Sequence, residues 1–155
     1  MSWNIRHATA ADVPSVVACL AAAFEPYRAD YTTGAFNDTV LTVETCRARL
    51  REMTILIAEQ DGRVVGTVAC QKVSGQEGHV RGMAVSPTHH GSGVAQALLT
   101  AAEEELRTVR CSRVTLDTTE YLQRAICFYE RNGYVATGRA SEFFGMRLIE
   151  YAKNI

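Results

Sequence analysis

The chain has 155 residues, of which 47% are hydrophobic, and its 16 basic and 17 acidic residues give a formal net charge of -1. This length predicts one domain spanning residues 1–155 with a sizeable core, and the balanced charge excludes a general attraction to nucleic acid or anionic membrane. Five widely spaced cysteines without a Cys-x-x-Cys pair indicate neither a disulfide framework nor a zinc site.

The first half of the chain predicts five elements. An apolar stripe at helical spacing follows Asp12, a typical N-cap residue, and Thr42 can cap a second, short helix. Asp61-Gly62 separates two runs rich in β-formers and predicts an antiparallel hairpin. Between the helices, residues 27–41 are too irregular for a long helix. The predicted elements are a strand over Trp3–Ala8, helices over Val13–Phe24 and Thr42–Arg51, and strands over Thr54–Glu59 and Val64–Lys72.

The second half predicts a strand that runs into a glycine-rich loop, and helical spacing resumes directly after it. Asn132-Gly133 is typical of a helix C-cap. The predicted elements are strands over His79–Val85, Arg113–Asp117, Tyr134–Thr137 and Met146–Tyr151, and helices over Val94–Val109 and Glu120–Arg131. This order predicts an α+β (mixed α/β) fold, with about four helices flanking one largely antiparallel sheet of about seven strands. Glu103, Glu104 and Glu105 are expected on a solvated helix face.

The loop at residues 86–93 joins a strand to a helix. Gly91 and Gly93 let the backbone turn its N–H groups outward at the start of the helix, which suits an anionic ligand. A phosphate loop of the kinase type needs a lysine and a hydroxyl after the glycines, but Val94-Ala-Gln96 follows, so a nucleoside triphosphatase is not expected. The alternative is a simple tight connection.

Two stretches carry a family resemblance. His90-Gly-Ser-Gly-Val-Ala95 resembles the acyl-CoA loop of the Gcn5-related N-acetyltransferases (GNAT), in which arginine or glutamine usually stands at the first position. The stretch Ala125-x-x-Phe128-Tyr129-Glu130-Arg131-x-Gly133-Tyr134 resembles the other recurrent motif of that family. The resemblance implies a GNAT-like fold and transfer of an acetyl group from acetyl-CoA directly to a primary amine of a small molecule or peptide. The alternative is a non-catalytic acyl-CoA-binding or regulatory module.

Acetyl-CoA is therefore the implied co-substrate, and no metal is implied. Leu122 stands where many members have an asparagine that contacts CoA, so that contact is expected either to be missing or to be supplied by Thr118 or Thr119. In this family a backbone N–H of the strand before the loop donates to the developing oxyanion. The residues expected to bind acetyl-CoA are Met83, Ala84, Val85, His90, Gly91, Ser92, Gly93, Val94, Ala95 and Thr118.

Two residues are expected to move protons. Tyr129 matches the tyrosine that resembling enzymes aim at the thioester sulfur as a general acid; the alternative is a core tyrosine bonded to a backbone carbonyl. His79 stands where some resembling enzymes place a base, and Glu77 or a water relay could serve instead. Strand alternation would put His79, Arg81, Met83 and Val85 on one face, and Arg81 would keep the imidazole neutral.

The resemblance places the amine acceptor between the first helices and the last hairpin, at residues 27–38 and 142–144. Asp30 and Asp38 would suit a cationic amine, whereas Arg28 would suit a carboxylate, so the acceptor stays open. The residues expected at this end are Tyr27, Tyr31, Phe36 and Arg81. We expect a soluble protein without nucleic-acid or membrane partners, since no apolar leader or membrane-spanning stretch is visible. The cysteine pattern favours the reducing cytoplasm. A homodimer is left open.

Overall fold

One seven-stranded sheet, in the order β1-β2-β3-β4-β5-β7-β6, organises the computed structural model, which describes residues 2–155. The strands are β1 Asn4–His7, β2 Thr54–Gln60, β3 Arg63–Ser74, β4 Glu77–Val85, β5 Arg113–Thr118, β6 Val135–Phe143 and β7 Met146–Asn154. The helices are α1 Val13–Phe24, α2 Thr33–Thr39, α3 Val43–Glu52, α4 Val94–Thr108 and α5 Gln123–Arg131. The α+β class and the seven-stranded, mostly antiparallel sheet are confirmed.

The helix α2 is one more than the sequence predicts. Thr32 caps it, because its hydroxyl accepts a hydrogen bond from the backbone N–H of Ala35 at 3.2 Å. Its seven residues bury only Ala35 and Phe36, so it is too short to show an apolar stripe in the sequence. A helical turn of 3-10 type over Glu25–Asp30 precedes it.

The two faces of the sheet carry separate apolar cores. On one face, β-strand residues pack against α4 through side chains such as Leu98 and Leu106. On the other face, the sheet packs against α1 and α3 through side chains such as Leu20 and Cys46. Within residues 2–155, no helix combines the length and the apolarity that crossing a bilayer requires.

The sheet divides between β4 and β5. These parallel strands pair only over Glu77–His79 and Arg113–Thr115, after which β4 continues to Val85. From Val80 onward, the edge of β4 that faces β5 therefore has no neighbouring strand. Backbone groups on such an edge remain available to a ligand.

A β-bulge changes the direction of β4 at the same place. The pairing with β3 passes from Ala69↔Arg81 to Thr67↔Ala84, so Gly82 and Met83 together oppose one residue. Gly82 has a φ of +63°, a conformation that only glycine adopts without strain.

The bulge makes the predicted face pattern of β4 wrong. Met83 and Val85 pack with Val80 in the α4 core, whereas Ala84 belongs to the core under α1 and α3. Arg81 points toward α2, where it pairs with Asp38. The extra residue reverses the alternation beyond Arg81, so Met83 and Val85 do not share the face of Arg81.

The solvated face predicted for α4 is wrong for Glu103, which is only 6% exposed. The hydroxyl of Tyr134 donates to its carboxylate at 2.8 Å, and Lys153 Nζ lies 3.0 Å from the same oxygen. Glu103 lies four residues after Leu99 and three before Leu106, on the buried stripe of the helix. A carboxylate at this position stays buried because both partners satisfy it.

Candidate active site

A cleft of about 750 Å³ opens where β4 and β5 separate. Its walls are the free edge of β4, the glycine loop with the start of α4, the end of β5, one side of α5, and the segment that joins α1 to α2. Clefts of this size at a break in a sheet are the usual binding sites of α/β proteins.

One end of the cleft carries helix-start N–H groups and arginines, a combination that suits an anionic ligand. Gly91 and Gly93 have φ values of +76° and +92°, and Gly93 is the N-cap of α4, so the first N–H groups of this long helix open toward the cleft. Arg124 and Arg131 of α5 also line it, although the sequence analysis did not single them out. Their spacing of seven residues, which puts two positions on one helix face, was the available signal.

The predicted loop residues do not all reach the cleft. His90, Gly91, Gly93, Val94 and Ala95 line it, as do Met83, Ala84 and Val85 on the free edge of β4. Ser92 does not, because its hydroxyl donates to the backbone carbonyl of His89 within the loop.

Tyr129 is buried at the wall between α5 and the sheet. It is 7% exposed, and its ring packs edge-on against Tyr134 at 5.9 Å between centroids. Burial raises the pKa of its phenol, which keeps the proton on the oxygen at neutral pH. Burial is the one cause of this pKa shift, and no hydrogen bond of the hydroxyl to a residue of 2–155 contributes to it, so the carbonyl bond of a purely structural tyrosine is not observed.

Thr118 presents an unsatisfied hydroxyl to the cleft. It is 4% exposed, and its Oγ1 is the one buried side-chain polar atom of the described residues without a hydrogen-bond partner. Of the two threonines predicted to replace the missing asparagine, only Thr118 lines the cleft, as does Leu122. A buried hydroxyl without a hydrogen-bond partner destabilises the folded protein unless a ligand supplies that partner.

His79 lies one layer behind the cleft wall. Its Nδ1 is 2.9 Å from Thr115 Oγ1, and that hydroxyl reaches the carbonyl of Gly78 at 3.4 Å. A hydroxyl that donates to Gly78 accepts from Nδ1–H, which leaves the lone pair of neutral His79 on Nε2. Burial, and secondarily Arg81, lowers the pKa of His79, while Asp117 opposes the shift. The direction agrees with the sequence analysis, but burial is the leading cause.

Asp117 stands between His79 and the cleft. Its Oδ2 lies 3.8 Å from His79 Nε2, and the residue lines the cleft. Burial raises the pKa of its carboxyl, and His79 opposes that shift. Sequence reasoning missed Asp117, since a single aspartate in a strand carries no motif. Glu77, the alternative base, instead pairs with Arg113 outside the cleft.

The other end of the cleft is aromatic. Tyr27 and Tyr31 line it, and burial raises the pKa of the Tyr31 phenol to about 12. Phe36 is 5% exposed and supports the Tyr31 ring edge-on at 6.2 Å rather than lining the cleft itself. The guanidinium of Arg28 lies over the Phe36 ring and pairs with Glu25, away from the cleft.

Arginines complete this aromatic end. Arg81 lines the cleft and donates to Asp38 Oδ2 at 3.1 Å. Arg49 of α3 also lines it and was missed, because one arginine among the three in residues 47–51 has no distinguishing pattern. Within residues 2–155, no three His, Cys, Asp or Glu side chains are grouped to hold a metal ion.

Comparison with known proteins supports one family. The model of the "Acetyltransferase (GNAT) family" matches residues 17–134. Similar structures include the PaiA N-acetyltransferase from Thermoplasma acidophilum in complex with coenzyme A, with 15% identity, full coverage of both chains and a TM-score of 0.82. The ribosomal-protein-alanine N-acetyltransferase from Brucella melitensis has 22% identity, 98% and 99% coverage of the two chains and a TM-score of 0.76. The ribosomal-protein-S18-alanine N-acetyltransferase from Escherichia coli has 17% identity, 99% and 94% coverage and a TM-score of 0.79.

The two threonines of β5 give a test of the unsatisfied hydroxyl. In the ligand-free protein, Thr118→Val removes an unpaired buried polar atom, so we expect the free energy of unfolding to rise by about 1 kcal/mol. Thr115→Val removes a bonded hydroxyl and should lower it by about 1 kcal/mol. Urea denaturation measures both. A loss of stability in Thr118→Val as large as in Thr115→Val would show that the Thr118 hydroxyl already has a partner.

Proposed function

Because this chain belongs to the GNAT acetyltransferase family, we propose that it transfers the acetyl group of acetyl-CoA directly to a primary amine of a small molecule or peptide. The observation that carries this proposal is the cleft, which joins an anion-binding helix start to an aromatic end along the free edge of β4. Tyr129 lies in the wall between these ends.

The residues present fit acetyl-CoA. The N–H groups at Gly91–Ala95 would hold its pyrophosphate, with Arg124 and Arg131 adding fixed positive charge beside the loop in which His90 replaces the usual arginine or glutamine. The unpaired Thr118 hydroxyl would complete the contact that asparagine makes in many family members. When bound, acetyl-CoA supplies a thioester whose carbonyl carbon an amine can attack.

The free edge of β4 would stabilise the charge that develops on the acetyl oxygen. Beyond His79 this edge has no strand partner, and Met83, Ala84 and Val85 all line the cleft. Backbone N–H groups fixed in a sheet are already oriented, so they need no reorganisation during the reaction. The bulge at Gly82 sets the direction in which these groups point.

Tyr129 would protonate the departing CoA thiolate. Its buried phenol keeps its proton at neutral pH because burial raises its pKa, and its hydroxyl is not engaged by another described residue. A general acid must carry a proton and must be free to donate it. Cys127 is exposed on the same helix and takes no part.

His79 would serve as the base for the amine. An alkylammonium with a pKa of ~10.4 has no free lone pair at neutral pH, so the proton must leave before attack. Asp117 at the cleft surface attracts the ammonium form, and the free Nε2 of His79 lies 3.8 Å behind it. Because His79 itself does not line the cleft, the proton would reach it through a water molecule or past the Asp117 carboxylate.

Binding of acetyl-CoA tests the anion end. Excess ligand at about 100 times its Kd stabilises a protein by about 2.7 kcal/mol, so we expect Tm to rise by roughly 5 to 10 °C. Gly93→Val should lose this rise, because valine cannot hold the left-handed N-cap. Gly62→Val is the matched control, since Gly62 has a φ of +77° in an open turn away from the cleft. No Tm rise of the wild type with millimolar acetyl-CoA would overturn the proposal.

The pH profile tests His79. Neutral imidazole is the active form, and the pKa of His79 is lowered from 6.5 by burial, so kcat/KM should fall as pH drops below about 6.5 and be full above it. His79→Gln should remove this limb, lower activity at pH 7 and recover part of it at high pH, where free amine is abundant. His7→Gln, at an exposed histidine paired with Glu105, should keep the limb. If kcat/KM of His79→Gln falls at low pH as that of the wild type does, the fall is due to the titration of another group.

A further inference from the structure

Arg49 is a charged side chain of the cleft without a partner of its own. Its guanidinium packs against the bulge, because a Cβ placed on Gly82 would lie 3.0 Å from Nη1. No carboxylate among residues 2–155 lies within 4.0 Å of its nitrogens. Burial, and secondarily the charge of Arg81, lowers the pKa of Arg49 to about 10, which reflects how little water and counter-charge it has.

The charges around Arg49 leave one positive charge uncompensated. Arg81 already occupies the near carboxylate, Asp38, at 3.1 Å. Asp38 and Glu52 both act on Arg49 through space, but neither forms an ion pair with it, and Glu52 is exposed on the outside of α3. A partly buried guanidinium in this state is destabilising until an anion pairs with it.

The opposite wall carries the complementary charge. Asp117 lines the cleft on β5, across the gap left by the separation of β4 and β5. The acceptor end thus offers a carboxylate for an ammonium group and a guanidinium for an anion. The planar guanidinium of arginine can donate two parallel hydrogen bonds to one carboxylate.

We propose, on the basis of the proposed acetyl transfer, that the acceptor is a small amine that also carries a carboxylate, and that Arg49 binds this carboxylate. The donors assigned to the acetyl oxygen belong to Met83–Val85, one to three residues from Gly82. At ~3.3 Å per residue, these donors lie roughly 3 to 10 Å along the strand from Gly82, so one small molecule can reach both Arg49 and the acetyl group. A free amino acid carries its amine and its carboxylate close together, and the aromatic rings at Phe24, Tyr27 and Tyr31 accommodate its side chain.

The test compares carboxylates with their neutral amides. In acetylation assays with acetyl-CoA, free amino acids should be better acceptors than the corresponding amino acid amides. Arg49→Met should raise KM for the amino acids by about 10- to 100-fold, the usual effect of losing one charged hydrogen-bonded contact, with a smaller change in kcat and none in kcat/KM for the amides. Arg49→Lys should reverse part of the rise in KM, because lysine restores the positive charge but not the two parallel hydrogen bonds of the guanidinium.

The matched control is Arg47→Met, at an exposed arginine of the same helix outside the cleft, and it should behave as the wild type. A second measurement needs no turnover: with CoA bound, N-acetyl amino acids should raise the Tm of the wild type, their amides should not, and Arg49→Met should abolish the rise.

Equal responses to acids and amides, or a preference for polyamines, would overturn the inference while leaving acetyl transfer intact. So would a lack of amino acid binding in a protein that acetyl-CoA still stabilises. If acetyl-CoA fails to stabilise the wild type, the proposed function itself fails, and the inference with it.

Discussion

The cleft depends on the three-residue pairing of β4 with β5. If β5 paired with β4 along its full length, β5 would fill the cleft and form hydrogen bonds with the backbone of β4. Here the strands part after His79 and Thr115, and the bulge at Gly82 and Met83 turns the freed edge of β4 toward the gap. The backbone donors, the phenol of Tyr129 and the hydroxyl of Thr118 all open into the same space for this reason.

Next to the aromatic end of the cleft, distant parts of the chain contact each other. The hydroxyl of Thr32, which caps α2, donates to the carbonyl of Phe144 in the β6–β7 turn at 2.7 Å. Gly34 lies against the Phe144 ring so closely that a Cβ there would come within 2.7 Å of it. These contacts hold α2 against the β6–β7 turn, and α2 also supplies Phe36, which supports the Tyr31 ring. Sequence periodicity does not reveal α2.

Local sequence patterns predicted most of the fold. The features that they did not predict depend on contacts between residues that are distant in the sequence. The Asp-Gly turn predicted the β2–β3 hairpin, and Asp61 and Gly62 have the positive φ values that such a turn requires. The turn of the glycine loop into α4 was predictable because glycine spacing is local. Three features depend on which strands and helices pack together, and local sequence patterns do not predict such packing. They are the bulge of β4, the buried pairing of Glu103 with Tyr134, and the positions of Asp117 and Arg49. The roles of Tyr129 and His79 stay predictions, although the structure gives each a suitable environment.

Acetyl transfer itself tests the proposed reaction, and it is measured as thiol release and as a mass gain of the amine, for the wild type and Tyr129→Phe. The wild type should turn over at least one amine class. If the phenol of Tyr129 protonates the leaving thiolate, kcat should fall roughly ten- to ten-thousand-fold in Tyr129→Phe, with the acetyl-CoA-induced Tm rise unchanged. Absence of turnover across amine classes by a protein that binds acetyl-CoA would contradict acetyl transfer and favour a non-catalytic binding module.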